Sequence, residues 1–183
     1  MNTKKMSTRT MVTIAMLTAA SYILEATIHF PIFPSVPYIQ YSPSEIPIAL
    51  SGIVLGPFAA LLSSLAVSLL AGITVGTTGI IGALINFLAK ASFAVLIAVI
   101  VKRKKTNINF IIAFVIGTIV MVCTMVIANI ALTPLYTGVP ISVVIGMLLP
   151  TIIPINAVMG VINSIIVFAI YKGIEKYIKV DKQ

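Results

Sequence analysis

Acidic residues are scarce in this chain: four Asp and Glu stand against twelve Lys and Arg in 183 residues. Charged residues of both signs make up 9%, where a soluble globular domain carries about 25%. That shortage excludes an ordinary soluble enzyme. One histidine and one cysteine are present, so neither a two-histidine metal site nor an internal disulfide can form. No His-Glu-x-x-His, Gly-x-Ser-x-Gly or Walker sequence occurs. Ser92 lies only two positions from Lys90, too close to face it on one helix as a peptidase pair would need. Only Glu25 and Glu45 are available for a carboxylate relay near a membrane, so proton-coupled transport is poorly supplied.

What is abundant is apolar surface: 60% of residues are hydrophobic and the mean hydropathy is +1.17. A membrane span takes roughly 20 residues, so the length fits about six spans and leaves no room for a soluble ATPase, kinase or DNA-binding domain. The expected fold is an all-α integral membrane protein, a six-transmembrane-helix bundle forming a single membrane domain over 1–183. The apolar runs are Thr10–Ile28, Ile46–Leu55, Phe58–Ile73, Ile80–Val101, Phe110–Leu132 and Thr151–Tyr171. The first is read as a retained span, since no small-residue cleavage site follows it. The second and third are short and separated by Gly56-Pro57, a turn signal, which implies tilt or shielding by protein.

The basic residues mark topology. Lys4, Lys5 and Arg9 precede the first run, Lys102, Arg103, Lys104 and Lys105 form one cluster, and Lys172, Lys176, Lys179 and Lys182 close the chain. Basic residues beside spans mark the cytoplasmic side. Segments 1–9, 102–109 and 172–183 are therefore expected to be cytoplasmic, and both termini with them. A nucleic-acid partner is not expected; the partners implied are membrane lipid and a small molecule. Residues 31–47 hold five prolines, cannot form a regular helix, and are read as an external loop able to act as a lid. Residues 133–150 are read as a second external loop. Cys123, deep in an apolar run, is expected as a small buried residue, and His29 at an interface.

Polar groups within spans need a reason. Lys90 lies roughly 16 Å from the cytoplasmic end of its helix. It either faces a cavity that accepts an anionic group, or pairs with a carboxylate such as Glu25 or Glu45, or snorkels to an interface. Asn86, one turn from Lys90 on the same face, and Asn129 and Asn156, toward the external ends of their spans, offer amides suited to a neutral heterocycle. Bonds between helices would use them equally well, and that is the role expected of Asn163. Ala15-x-x-x-Ala19 is a small-residue face on which another helix can pack closely.

The chain as a whole resembles the substrate-binding S components of energy-coupling factor (ECF) transporters, most closely the riboflavin-binding branch. The resemblance rests on an ordered set. It runs through Phe30-Pro31-Ile32, Ser44-Glu45-Ile46-Pro47, Gly56-Pro57, Asn86-Phe87-Leu88 and Ala91-Ser92-Phe93. It continues with Gly117-Thr118-Ile119-Val120-Met121, Asn129, Pro134-Leu135-Tyr136, Ile153-Pro154-Ile155-Asn156 and Gly160. It implies an external vitamin site closed by the loop after the first helix, with Asn129 and Asn156 matching asparagines that contact flavin. Gln40 and Tyr41 on that loop, Asn86, Lys90 and Met159 complete the candidate contacts. Ala15 and Ala19 would dock on a transmembrane coupling protein, and two separate ATPase subunits would hydrolyse ATP. The chain itself would be no enzyme and would carry no cofactor, only the vitamin as cargo, in a bacterial plasma membrane. Three departures from the flavin branch stand out: Met159 replaces a lysine, Lys90 replaces a small residue, and Ser42-Pro43-Ser44-Glu45 replaces Asp-Phe-Ser-Asp. They leave open an anionic vitamin such as pantothenate, held by Lys90. A stand-alone secondary carrier is the reading from a different class.

Overall fold

The computed structural model describes residues 7–31, 40–76 and 79–180. The basic residues Lys4, Lys5 and Lys182 and the middle of the expected lid, 32–39, lie outside the described residues. The helices are α1 (Thr8–Thr27), α2 (Glu45–Leu55), α3 (Pro57–Thr74), α4 (Gly79–Arg103), α5 (Asn107–Thr137), α6 (Ile141–Met147) and α7 (Ile153–Val180), with a π-helical turn at Leu148–Ile152. A two-residue antiparallel ladder pairs β1 (Phe30–Pro31) with β2 (Gln40–Tyr41), setting Phe30 opposite Tyr41. It brings the two ends of the lid segment together. Among the described residues, five helical segments are long and apolar enough to cross a membrane: α1, α3, α4, Asn107–Leu135 and Ile141–Lys176.

The helix ends follow local chemistry. The Ser7 hydroxyl caps α1 by accepting the Thr10 amide at 3.2 Å, and Thr106 caps α5 by accepting the Asn109 amide at 3.3 Å. Gly56, at φ 110°, makes the break between α2 and α3, a backbone state that side chains resist, and Pro57 then fits the first turn of α3.

Helix α2 is the centre of the bundle. It packs against α1, α3, α4 and α7, while α1 packs on α3, α3 on α4, α4 on α5 and α5 on α7. Its residues 45–53 are all buried, as expected for a helix apolar all round. Eleven residues reach only about 16 Å, short of a hydrocarbon core of about 30 Å. The surrounding helices shield it. Gly52 permits their approach: a Cβ there would lie 2.9 Å from the Cβ atoms of Ala60 on α3 and Ala98 on α4. Gly52→Val should cost about 1–3 kcal/mol by overpacking, read as a lower thermal unfolding temperature in detergent; an unchanged midpoint would show that α3 and α4 can separate freely.

At the far end of α2, the Lys105 ammonium donates to the Ile53 carbonyl at 3.0 Å, where the helix dipole favours a cation. This member of the basic cluster therefore also caps the central helix. Phe110, Phe114, Phe168 and Tyr171 pack beside it, with Phe110 and Tyr171 ring centroids 4.8 Å apart.

Two expectations are corrected. Residues 133–150 are not an irregular loop: α5 continues through Pro134 to Thr137, and only 138–140 separate it from α6. Ile141 instead begins the final helical segment. Pro150 lies inside the π turn, where the Ile153 amide bonds the Leu148 carbonyl. A π turn abandons the regular i−4 pattern and so absorbs a missing donor without ending the helix. Cys123 is exposed on α5, on the outer face and not in the core.

Candidate functional site

The polar residues of the bundle gather around the start of α2. Lys90, on α4 and 4% exposed, pairs with Glu25 of α1, with Nζ to Oε1 at 3.0 Å. Of the three roles open to this lysine, pairing with a carboxylate is the one adopted. The other Glu25 oxygen accepts the Ser44 hydroxyl at 2.5 Å. The Ser44 amide donates to the Ser42 hydroxyl at 3.2 Å, and the Ser44 carbonyl accepts the Ser21 hydroxyl at 2.6 Å. Beside this, Asn163 of α7 donates its amide to Glu45 Oε2 at 2.6 Å, while its carbonyl oxygen accepts the Tyr41 hydroxyl at 3.2 Å. Asn163 thus makes the interhelical bond expected of it. Burial, and then the Glu45 carboxylate, raise the Tyr41 phenol above its ordinary value, which keeps it a donor.

The network fastens four helices and the 41–45 segment together. Two buried acids share one ammonium, and Glu45 sits in the first turn of α2, where the helix dipole favours negative charge. Sequence reading did not place Ser21, Ser42 or Ser44 in the site. The available signal was Ser42-Pro43-Ser44-Glu45, a helix-start composition that draws polar groups to one point.

The remaining candidates are distributed differently. Asn129 on α5 is buried, donates to the Met125 carbonyl at 2.8 Å and accepts the Thr133 hydroxyl at 2.9 Å. Asn156 on α7 is buried and donates to the Ile152 carbonyl, the last residue of the π turn, at 2.7 Å. A carboxamide has two donor hydrogens and an acceptor oxygen with two lone pairs, so these bonds leave each side chain a hydrogen and acceptor capacity, the larger share of it on Asn156. Met159 is buried one turn beyond Asn156. Asn86 is exposed, so the structure does not bring it into the buried cluster with Lys90. Gln40 lends its backbone to β2, and its side chain lies outside the described residues. Ala15 and Ala19 are exposed and line a groove of about 550 Å³ between α1 and α3, with Tyr22 and Leu62. Ala15 and Ala19 thus stand at an open groove and not in the core.

Membrane-length helices around a shielded central one, with charge locked in an internal network, have the architecture of a polytopic membrane protein. The family model for the substrate-specific component of ECF transporters matches residues 9–171, and the chain belongs to this family. Riboflavin transporter RibU of Staphylococcus aureus (strain TCH60) is 31% identical over 181 residues, covering 92% of each chain. RibU of Streptococcus thermophilus (strain ATCC BAA-250 / LMG 18311) is 29% identical over 175 residues, covering 90% of this chain and 82% of the relative. A solved structure of the S component of a bacterial ECF transporter superposes with a TM-score of 0.81 at 30% identity, covering 93% of this chain and 98% of that one. The expected family is confirmed, and it is a family of transporter components, not of enzymes.

Proposed function

We propose that this protein is the riboflavin-binding subunit of an ECF-type importer in a bacterial plasma membrane. The observation that carries this reading is its likeness, over nearly its whole length, to two riboflavin transporters. In this reading five long helices and the shielded α2 make a six-helix bundle, and the flanking lysines and arginines put both termini in the cytoplasm. Riboflavin enters from outside, the 31–40 part of the expected lid closes over it, and the spare groups of Asn129 and Asn156 meet its polar edge. A transmembrane coupling protein docks on the Ala15–Ala19 face, and two partner ATPase subunits drive release.

The Lys90–Glu25 pair favours a neutral vitamin over an anionic one. An ammonium 3.0 Å from a buried carboxylate has its charge already compensated, and recruiting it to a ligand would strand Glu25. The test is a titration of the purified protein with riboflavin and with pantothenate. Riboflavin fluorescence should be quenched at submicromolar concentration with no pantothenate binding. Binding of pantothenate alone would overturn the flavin assignment.

A further inference from the structure

The final helical segment carries a feature that the vitamin site does not use. A groove of about 460 Å³ runs between α5 and α7, lined by Ile111, Phe114, Val115, Thr118, Val161 and Phe168 among others. The two helices meet closely at one end, where a Cβ on Gly160 would lie 2.6 Å from Thr118 Cγ2. Toward the other end, the rings of Phe114 and Phe168 lie between them, with centroids 6.4 Å apart. The α5 side runs from Ile111 to Ile119, about 12 Å of helix, close to the roughly 15 Å of one hydrocarbon leaflet.

The groove ends in positive charge. On α7 the stripe through Val161, Ser164 and Phe168 continues at helical spacing to Lys172 and Lys176. The Lys172 ammonium sits 5.8 Å from the centre of the Phe168 ring that lines the groove. Both lysines are exposed, and Lys172 also makes a surface pair with Glu175 at 3.0 Å, an interaction of small worth. A slot one leaflet deep, apolar along its length and basic at its mouth, has the shape and charge of a phospholipid with a negative headgroup.

We propose that the α5–α7 groove binds an anionic phospholipid, with an acyl chain between Val115 and Val161 and the phosphate at Lys172 and Lys176. The full-length protein in detergent would be given dioleoyl phosphatidylglycerol or dioleoyl phosphatidylcholine and examined by native mass spectrometry. Phosphatidylglycerol should be retained preferentially. Each lysine near a headgroup contributes about fivefold, so Lys172→Gln/Lys176→Gln should lower that preference by about 25-fold. Lys102→Gln/Arg103→Gln, at the end of α4, which contributes no residue to the groove lining, should leave it unchanged. Val161→Trp, which fills the slot from an exposed position, should displace the lipid from protein that still elutes as a single species. Equal retention of the two lipids would overturn the proposal. So would an equal loss from both double variants, which would describe a diffuse basic belt. The readout does not depend on the vitamin, so it stands or falls separately from the riboflavin assignment.

Discussion

Lys90→Met should destabilise the folded protein by about 3–5 kcal/mol, the cost of leaving a buried charge without its partner. The carboxylate left behind is Glu25, already removed from solvent and engaged by Ser44. The second acid, Glu45, lies in the same cluster and accepts the Asn163 amide. The double variant Lys90→Met/Glu25→Gln should recover most of the loss, because glutamine keeps an acceptor for Ser44 without a charge. A double-mutant cycle read by thermal unfolding in detergent measures this coupling. Strict additivity of the two single changes would rule out the ion pair as a structural fastener. The same variant separates structural from ligand-binding roles. A lysine that held an anionic vitamin would, when removed, abolish affinity and leave the unfolding midpoint in place.

The second large effect is expected on binding. Asn129→Ala and Asn156→Ala should each weaken riboflavin binding by about 1–3 kcal/mol, the cost of leaving a buried ligand group unpaired. That is roughly a 5- to 150-fold rise in Kd, measured by flavin fluorescence quenching. Asn156→Ala should be the more severe, since Asn156 has its whole acceptor oxygen to offer while Asn129 shares its own with Thr133. Unchanged affinity in both variants would place the vitamin elsewhere.

The spans were legible because long apolar runs bounded by charge, glycine and proline are strong signals. The observed bounds of α2, α3 and α4 differ from the expected ones by at most two residues. The region after Leu132 was misread because each proline there looked like a stop. In the folded chain Pro134 lies within α5, where the hydroxyls of Thr133 and Thr137 bond groups one turn back, and Pro150 falls inside the π turn. Facing was less legible than extent. Helices such as α4 and α5 are apolar toward both lipid and core, so composition cannot say that Cys123 and Asn86 point outward while Asn129 points in. The Lys90–Glu25 pair was one of several open choices because its members are 65 positions apart. Only the packing of α1, α2 and α4 decides which acid the lysine meets.

The π turn also sets the rotational phase of the last segment. Val144 before the turn and Ile152 at its end both face inward. A π turn spends an extra residue relative to the α-helix, and one residue is worth about 100° of rotation. Everything beyond the joint takes its azimuth through that offset. Ile155, Asn156, Met159, Gly160 and Asn163, all on the buried side of α7, owe their aim to that offset. Shortening 148–152 by one residue would leave their chemistry intact and swing it past the bundle. The joint works as an index mark: two stretches of helix, each with its own apolar stripe, are clocked against one another so that both face the same interior.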